Sequence, residues 1–325
     1  MKRFEYVIAE SAAQALARLG EAKGQGALKA GGIDLLDRMK SGISTPGRLI
    51  NLGAIAPLRA IKLDGGALRI GATVTLSQLE RDADVRRHFA ALAEAAGSAA
   101  NPHIRNVATV AGNLLQRPRC WYYRNPEFQC LKKGGHVCFA QKGENRYHAI
   151  FGGGPSWIVH PSTLATALVA LGGRVVVDGP KPREIDLEKF FVLPANDYER
   201  ENVLGHDELI TEVRVPDPGA ARSAYMVVRE RQVYDWPLGE VAVALWLKGK
   251  TVERARVVLG AAAPIPWRSE AAERALVGKT VGADVAQAAG HAAVQGAKPL
   301  GDNGYKVPMF EALVARAVLA AAEVA

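Results

Sequence analysis

Leu28-Lys29-Ala30-Gly31-Gly32-Ile33-Asp34-Leu35 decides the reading of this chain. Leu28 to Ala30 closes a short strand, two glycines turn the backbone, and Ile33 onward has the spacing of a helix start. Adjacent glycines let backbone N–H groups approach an anion closely, and the helix N-terminus that follows adds a partial positive charge. A pyrophosphate fits such a junction. The same eight residues also serve an ordinary strand-turn-helix corner, so the motif needs a second anchor.

Ile104-Arg105-Asn106-Val107-Ala108-Thr109-Val110-Ala111-Gly112-Asn113-Leu114 is the candidate. Thr109 and Asn113 bracket small residues, which brings a hydroxyl, an amide and open backbone donors to a flat or phosphorylated ligand. Read alone, the stretch is also compatible with a bulged strand. No G-x-G-x-x-G follows a strand and no G-x-x-x-x-G-K-[ST] occurs, so neither a Rossmann site nor a P-loop is indicated.

Outward from these motifs the first third alternates helix and strand signals. Ser11 caps a predicted helix with Ala12, Ala15, Leu16 and Leu19 on one face, ended by Gly20 or Gly24. Strands are predicted at 26–30, 49–52 and 68–74, a capping box at Thr75 and Gln78, and one longer alanine-rich helix over 85–100. Residues 117–157 lose all periodicity and read as an insertion held by something other than a hydrophobic core. Ser162 then caps TLATALVAL, and the strand RVVVDG follows. Beyond Pro216-Asp217-Pro218-Gly219 come strands near 224–232, 241–247 and 252–260, then helices at 269–277, 283–295 and 308–324.

A length of 325 residues allows two or three domains, and 49% hydrophobic with 23% charged residues is ordinary for a globular protein. The opening MKRFEYVIAE is broken by Glu5 and Glu10 and lacks the apolar core of a secretory signal, which gives a cytoplasmic expectation, export with a partner's signal aside. No apolar run reaches membrane-spanning length. A net charge of +8 suggests an anionic partner. Without helix-turn-helix or zinc-finger spacing, nucleic acid is not the expected one.

Taken together, AGGIDLL and IRNVATVAGNLL resemble the paired FAD-binding signatures of the medium subunit of carbon monoxide dehydrogenase, aldehyde oxidoreductase and xanthine dehydrogenase, the molybdenum hydroxylase family. The resemblance continues through WIVHPSTLATALVALGG, DELITEVRVP, RERQVYDWPLGEVAVAL and LGAAAPIPWRSEAAERALVGK. It implies an α+β chain: a vanillyl-alcohol-oxidase-type (PCMH-type) FAD-binding fold in two subdomains, 1–55 and 56–218, then a C-terminal domain, 219–325, of a small antiparallel sheet plus helices. By position, Leu28, Lys29, Ala30, Gly31, Gly32, Ile33, Asp34 and Leu35 would wrap the FAD pyrophosphate, with Thr109, Gly112 and Asn113 completing the cradle. Thr163 stands where the family places an aspartate, and Leu209 or Ile210 would line the flavin or adenine pocket. Arg231 and Asp235 match a recurring pair, read as an ion pair. No side chain of this chain is expected to be catalytic.

Cys120, Cys130 and Cys138 form C-x9-C-x7-C inside the insertion and are the only cysteines. Buried thiols, one disulfide plus a free thiol, or a zinc site are all open from the residues alone. The insertion resembles one in a subset of the family, of the aldehyde oxidoreductase and hydroxybenzoyl-coenzyme A reductase type, where four cysteines carry a [4Fe-4S] cluster. This chain has three, with Ser156 near the expected fourth position, so the resemblance implies a cluster completed by His148, His136, Ser156 or water, or one of three irons. The basic run Arg117, Arg119, Arg124, Lys132, Lys133, Lys142, Arg146 is ordinarily a solvated face.

The resemblance further implies a heterotrimer: a large molybdopterin subunit that oxidises the substrate, a small subunit with two [2Fe-2S] clusters, and this chain passing electrons through FAD to NAD, oxygen, a quinone or a ferredoxin. Two other readings compete. One is a self-contained FAD oxidase of the vanillyl-alcohol type; the other is a Fe–S or zinc protein binding nucleic acid through the basic loop and its aromatics.

Overall fold

The computed structural model describes residues 1–231 and 234–323. Its first sheet is parallel: β1 (Glu5–Ile8), β2 (Gly26–Lys29) and β3 (Arg48–Asn51) lie in the order β1-β3-β2. Parallel neighbours need crossovers, which the helices Ala12–Glu21 and Ile33–Lys40 supply. Ser11 caps the first, its side chain accepting from the Gln14 N–H.

The second sheet is antiparallel, in the order β4-β5-β8-β6-β7, from β4 (Ile61–Asp64), β5 (Ala67–Gly71), β6 (Arg174–Asp178), β7 (Arg183–Asp186) and β8 (Leu209–Pro216). Thr75 and Gln78 make the reciprocal capping box of the helix Leu76–Arg81. The single helix expected over 85–100 is instead two, Ala83–His88 and Ala90–Ser98. Phe89 leaves helical geometry between them and is fully buried. Residues 104–114 are helical turns, Pro102–Arg105 and Val110–Leu114, and not a bulged strand; Asn101 and Thr109 cap them with their side chains.

The third sheet is antiparallel, β12-β11-β10-β9, from β9 (Arg222–Arg229), β10 (Pro237–Lys248), β11 (Thr251–Gly260) and β12 (Trp267–Arg268). β10 and β11 form the hairpin expected across residues 248–250. The strand expected to reach Gln232 ends at Arg229, and Gln232 lies outside the described residues. Helices Glu270–Leu276, Ala283–Ala293 and Lys306–Glu323 back this sheet with Val, Ala, Leu and Phe310; the predicted end of the last at Val324 also lies outside the described residues. The architecture is the α+β one expected, with a small antiparallel sheet and helices at the C-terminal end.

Helix Thr163–Ala170 joins the second and third sheets. All eight of its residues are buried, as an all-round apolar helix requires. It makes two polar contacts with the third sheet: Thr166 Oγ1 donates to Glu240 Oε2 at 3.1 Å, and Arg256 donates to the Val169 carbonyl at 3.0 Å. Gly260 lies opposite Glu240 on β11, where a Cβ would stand 2.3 Å from both Glu240 Oε2 and Thr166 Oγ1. Burial pushes the Glu240 carboxyl from 4.5 up to about 7.

A carboxyl whose folded pKa is raised favours the folded state fully below about pH 4.5, and that contribution is lost as pH rises through about 7. Glu240→Gln, neutral throughout, is therefore expected to lack this loss and to gain on the wild type between pH 5 and pH 8. Thermal unfolding across that range checks it; parallel profiles for the two proteins would contradict it.

Candidate functional site

The two motifs meet. A cavity of about 580 Å³, within the range of small-molecule sites, is bounded by Leu28–Leu35 on one side and by Thr109, Gly112 and Asn113 on the other. Thr163, Leu209 and Ile210 line it as well, so every residue expected at the dinucleotide faces this one space. A second, wider groove of about 920 Å³ adjoins it across Lys29, Ala30, Gly31 and Thr109.

Glycine is needed at both positions of the pair, for different reasons. A Cβ on Gly31 would lie 2.1 Å from the Val107 carbonyl oxygen, so the two segments touch backbone to backbone only because no side chain stands between them. Gly32 has φ +80° and is the N-cap of helix Ile33–Lys40, leaving that terminus without a side-chain cap. Thr109 Oγ1 accepts from the Gly112 N–H at 3.2 Å and fixes the facing turn. Asn113 Oδ1 accepts from Ser162 Oγ at 2.6 Å and from the Leu164 N–H, so its amide oxygen links two helices and is not free for a ligand.

Two buried donors in the cavity wall have no hydrogen-bond partner among the described residues: Thr163 Oγ1 and Arg119 Nε. Such groups are costly unless something accepts from them, and both belong to side chains that line the cavity. Arg119, Arg229, Tyr234 and Trp236 are cavity residues that the sequence reading did not single out as such. The last three lie in RERQVYDWP, and the signal was the run of aromatic and charged residues itself. Arg231 and Asp235 form a bidentate pair at 2.7 and 2.6 Å on the surface, as an ion pair.

Five residues of the insertion's basic run, Arg117, Arg119, Arg124, Lys132 and Lys133, are turned inward, while Lys142 and Arg146 are exposed as a solvated face would have them. Asp34 Oδ1 accepts from Arg124 at 2.6 Å; its Oδ2 accepts from Arg38 Nε at 2.9 Å and the Arg117 N–H at 3.2 Å. Burial opposes the Asp34 charge, but Arg124, Arg38 and Arg119 outweigh it and hold the carboxyl below its ordinary range. Lys132, nearly fully buried, pairs with Glu201 at 2.7 Å. Tyr122, Phe128 and Phe139 pack with ring centroids 5.1 to 5.9 Å apart, giving the insertion a small aromatic core of its own, contrary to the expectation that it has none. Tyr123 is 1% exposed, which removes it from any base-stacking surface.

Cys120, Cys130 and Cys138 converge with Ser156 on one small cavity of about 10 Å³. Burial pushes the Cys120 thiol up to about 11, and His148 Nε2 lies 3.3 Å from its Sγ. Burial, with Lys306 adding to it, lowers His148 to about 4. His136 is exposed and is not among the residues lining that cavity. Among the described residues no group of three or more His, Cys, Asp or Glu stands in metal-holding geometry, and the hollow is no larger than one water needs.

Sheet topology and cavity together define an α+β protein with a small-molecule cavity between two backbone turns, and comparison with known proteins makes the class specific. Residues 2–218 match the family of the FAD binding domain in molybdopterin dehydrogenase, and residues 223–321 match the CO dehydrogenase flavoprotein C-terminal domain. The chain is 36% identical to the aldehyde oxidoreductase FAD-binding subunit PaoB of Escherichia coli over 94% of each protein. It is 28% identical to the carbon monoxide dehydrogenase medium chain of Hydrogenophaga pseudoflava, over 98% of this chain and 97% of that one. A solved carbon monoxide dehydrogenase from that organism superposes with a TM-score of 0.77 at 30% identity, covering 98% and 97% of the two chains. The chain belongs to the FAD-binding medium subunits of the molybdenum hydroxylases, a family of oxidoreductases.

Gly31→Ala is expected to force the two segments apart, lowering flavin content and costing about 1–3 kcal/mol of stability. Gly20→Ala, where a Cβ meets nothing within 4 Å, should be neutral or stabilising by about 0.5–1 kcal/mol. Flavin absorbance per chain and melting temperature measure both; full flavin occupancy in Gly31→Ala would speak against the contact as part of the site.

Proposed function

We propose that this chain is the electron-relay subunit of a heterotrimer, taking electrons from [2Fe-2S] clusters of a small partner subunit and delivering them to an external acceptor: NAD, oxygen, a quinone or a ferredoxin. When bound, FAD supplies the exchange between one-electron donors and a two-electron acceptor. The observation that carries the reading is the convergence of Leu28–Leu35 and Thr109–Asn113 on one cavity whose wall holds unpartnered donors. Residues Gly31 and Gly32 offer backbone N–H groups and a helix N-terminus to the diphosphate, Thr163 offers its hydroxyl, and Leu209 and Ile210 offer apolar surface to a ring. No nucleophile or general base is asked of this chain; its residues bind, orient and exclude water.

Substrate oxidation belongs to a large molybdopterin subunit, and the substrate class is an aldehyde or an aromatic or heterocyclic compound. The name of the Escherichia coli relative, 36% identical, supports the aldehyde. The cysteine insertion is proposed to hold an Fe–S cluster through Cys120, Cys130 and Cys138. Three soft thiols around one hollow suit iron by donor type. The hollow measures about 10 Å³ and holds no metal-binding arrangement of three or more ligands among the described residues, so loading requires the thiols to rearrange.

Anaerobic purification of the co-expressed complex tests the whole reading. Expected are stoichiometric FAD, two co-purifying partner chains, and iron on this chain in excess of that carried by the small subunit. Turnover of substrate by the isolated chain would contradict the relay role, and zinc-loaded, iron-free protein would remove the cluster.

A further inference from the structure

Arg119 is set differently from the other arginines of the insertion. Arg124 uses four of its five N–H donors: it donates to Asp34, to Asp37, and to the Pro118 and Arg117 carbonyls at 2.6 to 3.0 Å. Arg119 approaches Asp34 Oδ1 at 3.1 Å and Asp37 Oδ2 at 3.6 Å with its terminal nitrogens, while its Nε is buried without a partner among the described residues. Its guanidinium carbon lies 4.5 Å over the Trp236 ring, an arrangement that holds the plane of the group beside the two carboxylates. Both Arg119 and Trp236 line the 580 Å³ cavity.

Charge balance points the same way. Arg38, Arg119 and Arg124 surround two carboxylates, Asp34 and Asp37, so this cluster carries an excess positive charge. The excess sits beside the first turn of the helix that Gly32 opens, where Asp34 would otherwise repel an anion. The glycine pair and the Thr109 turn contribute backbone dipoles but no full charge.

We propose that Arg119 is an anion-binding side chain of this cavity, which Lys29, Arg38 and Arg229 also line, carried in by the cysteine insertion to pair with the diphosphate of FAD. The proposal rests on the FAD reading above and deepens it: the insertion contributes to flavin retention through a charge, independently of any metal on its cysteines. Pairing would neutralise the excess charge of the Arg38, Arg119 and Arg124 cluster.

Purified holoprotein, reversibly stripped of flavin, tests this by titration with FAD and with riboflavin, which lacks the diphosphate, at several salt concentrations. Arg119→Met is expected to weaken FAD about tenfold to a hundredfold, to flatten the salt dependence of FAD binding, and to leave riboflavin binding unchanged. Arg119→Lys, which keeps the charge but not the fork, should recover part of the loss and the salt dependence. FAD affinity equal to wild type in Arg119→Met, equal losses for FAD and riboflavin, or an unaltered salt dependence would each overturn the proposal. A wild-type chain that takes up no FAD overturns the FAD reading itself.

Discussion

At Gly31 the backbone of one segment rests on the carbonyl of Val107 from another, at a distance that admits no side chain. The parallel sheet delivers the first segment, because β2 must turn into helix Ile33–Lys40 to cross to β3. The second arrives from two short capped turns, Pro102–Arg105 and Val110–Leu114, whose position is fixed by Val110 N–H to Val74 O and Ala111 N–H to Ala72 O. Once these meet, the cavity is walled on both sides. The remaining wall follows from the buried helix Thr163–Ala170 and from the Leu209–Ile210 end of β8.

The insertion ties all three sheets to this junction. Arg117, Arg119 and Arg124 reach Asp34 beside the parallel sheet; Lys132 reaches Glu201 near the second. At its far end Asn303 donates to the His148 and Ala149 carbonyls, and fully buried Lys306 donates to the Tyr147 and Ala261 carbonyls. Burial alone pulls the Lys306 amine down to about 7, a sign of how completely this end is closed over. A segment without helical or strand periodicity is thereby held by ion pairs, aromatics and side-chain to carbonyl bonds.

Much of this was legible in the residues because local chemistry and tertiary structure agree. Ser11, Thr75 with Gln78 and Ser162 each cap the helix their spacing announces, and the glycine pair marks the turn where a close approach occurs. The expected long helix is interrupted at Phe89, whose backbone leaves helical geometry and whose ring is fully buried, and alanine-rich periodicity carries no mark of that. The role of Arg119 was not legible: a charge run reads as solvated until the acids that turn it inward, Asp34 and Asp37, are seen from far along the chain. The same holds for Asn113, whose amide oxygen is taken by Ser162 and Leu164.

The proposed function requires one flavin dinucleotide between the glycine pair and the Thr109 turn. An experimental density map of the purified complex tests it most directly. FAD is expected in the 580 Å³ cavity, with its diphosphate at Gly31 and Gly32. A colourless protein with that cavity empty, or flavin density elsewhere on the chain, would contradict it.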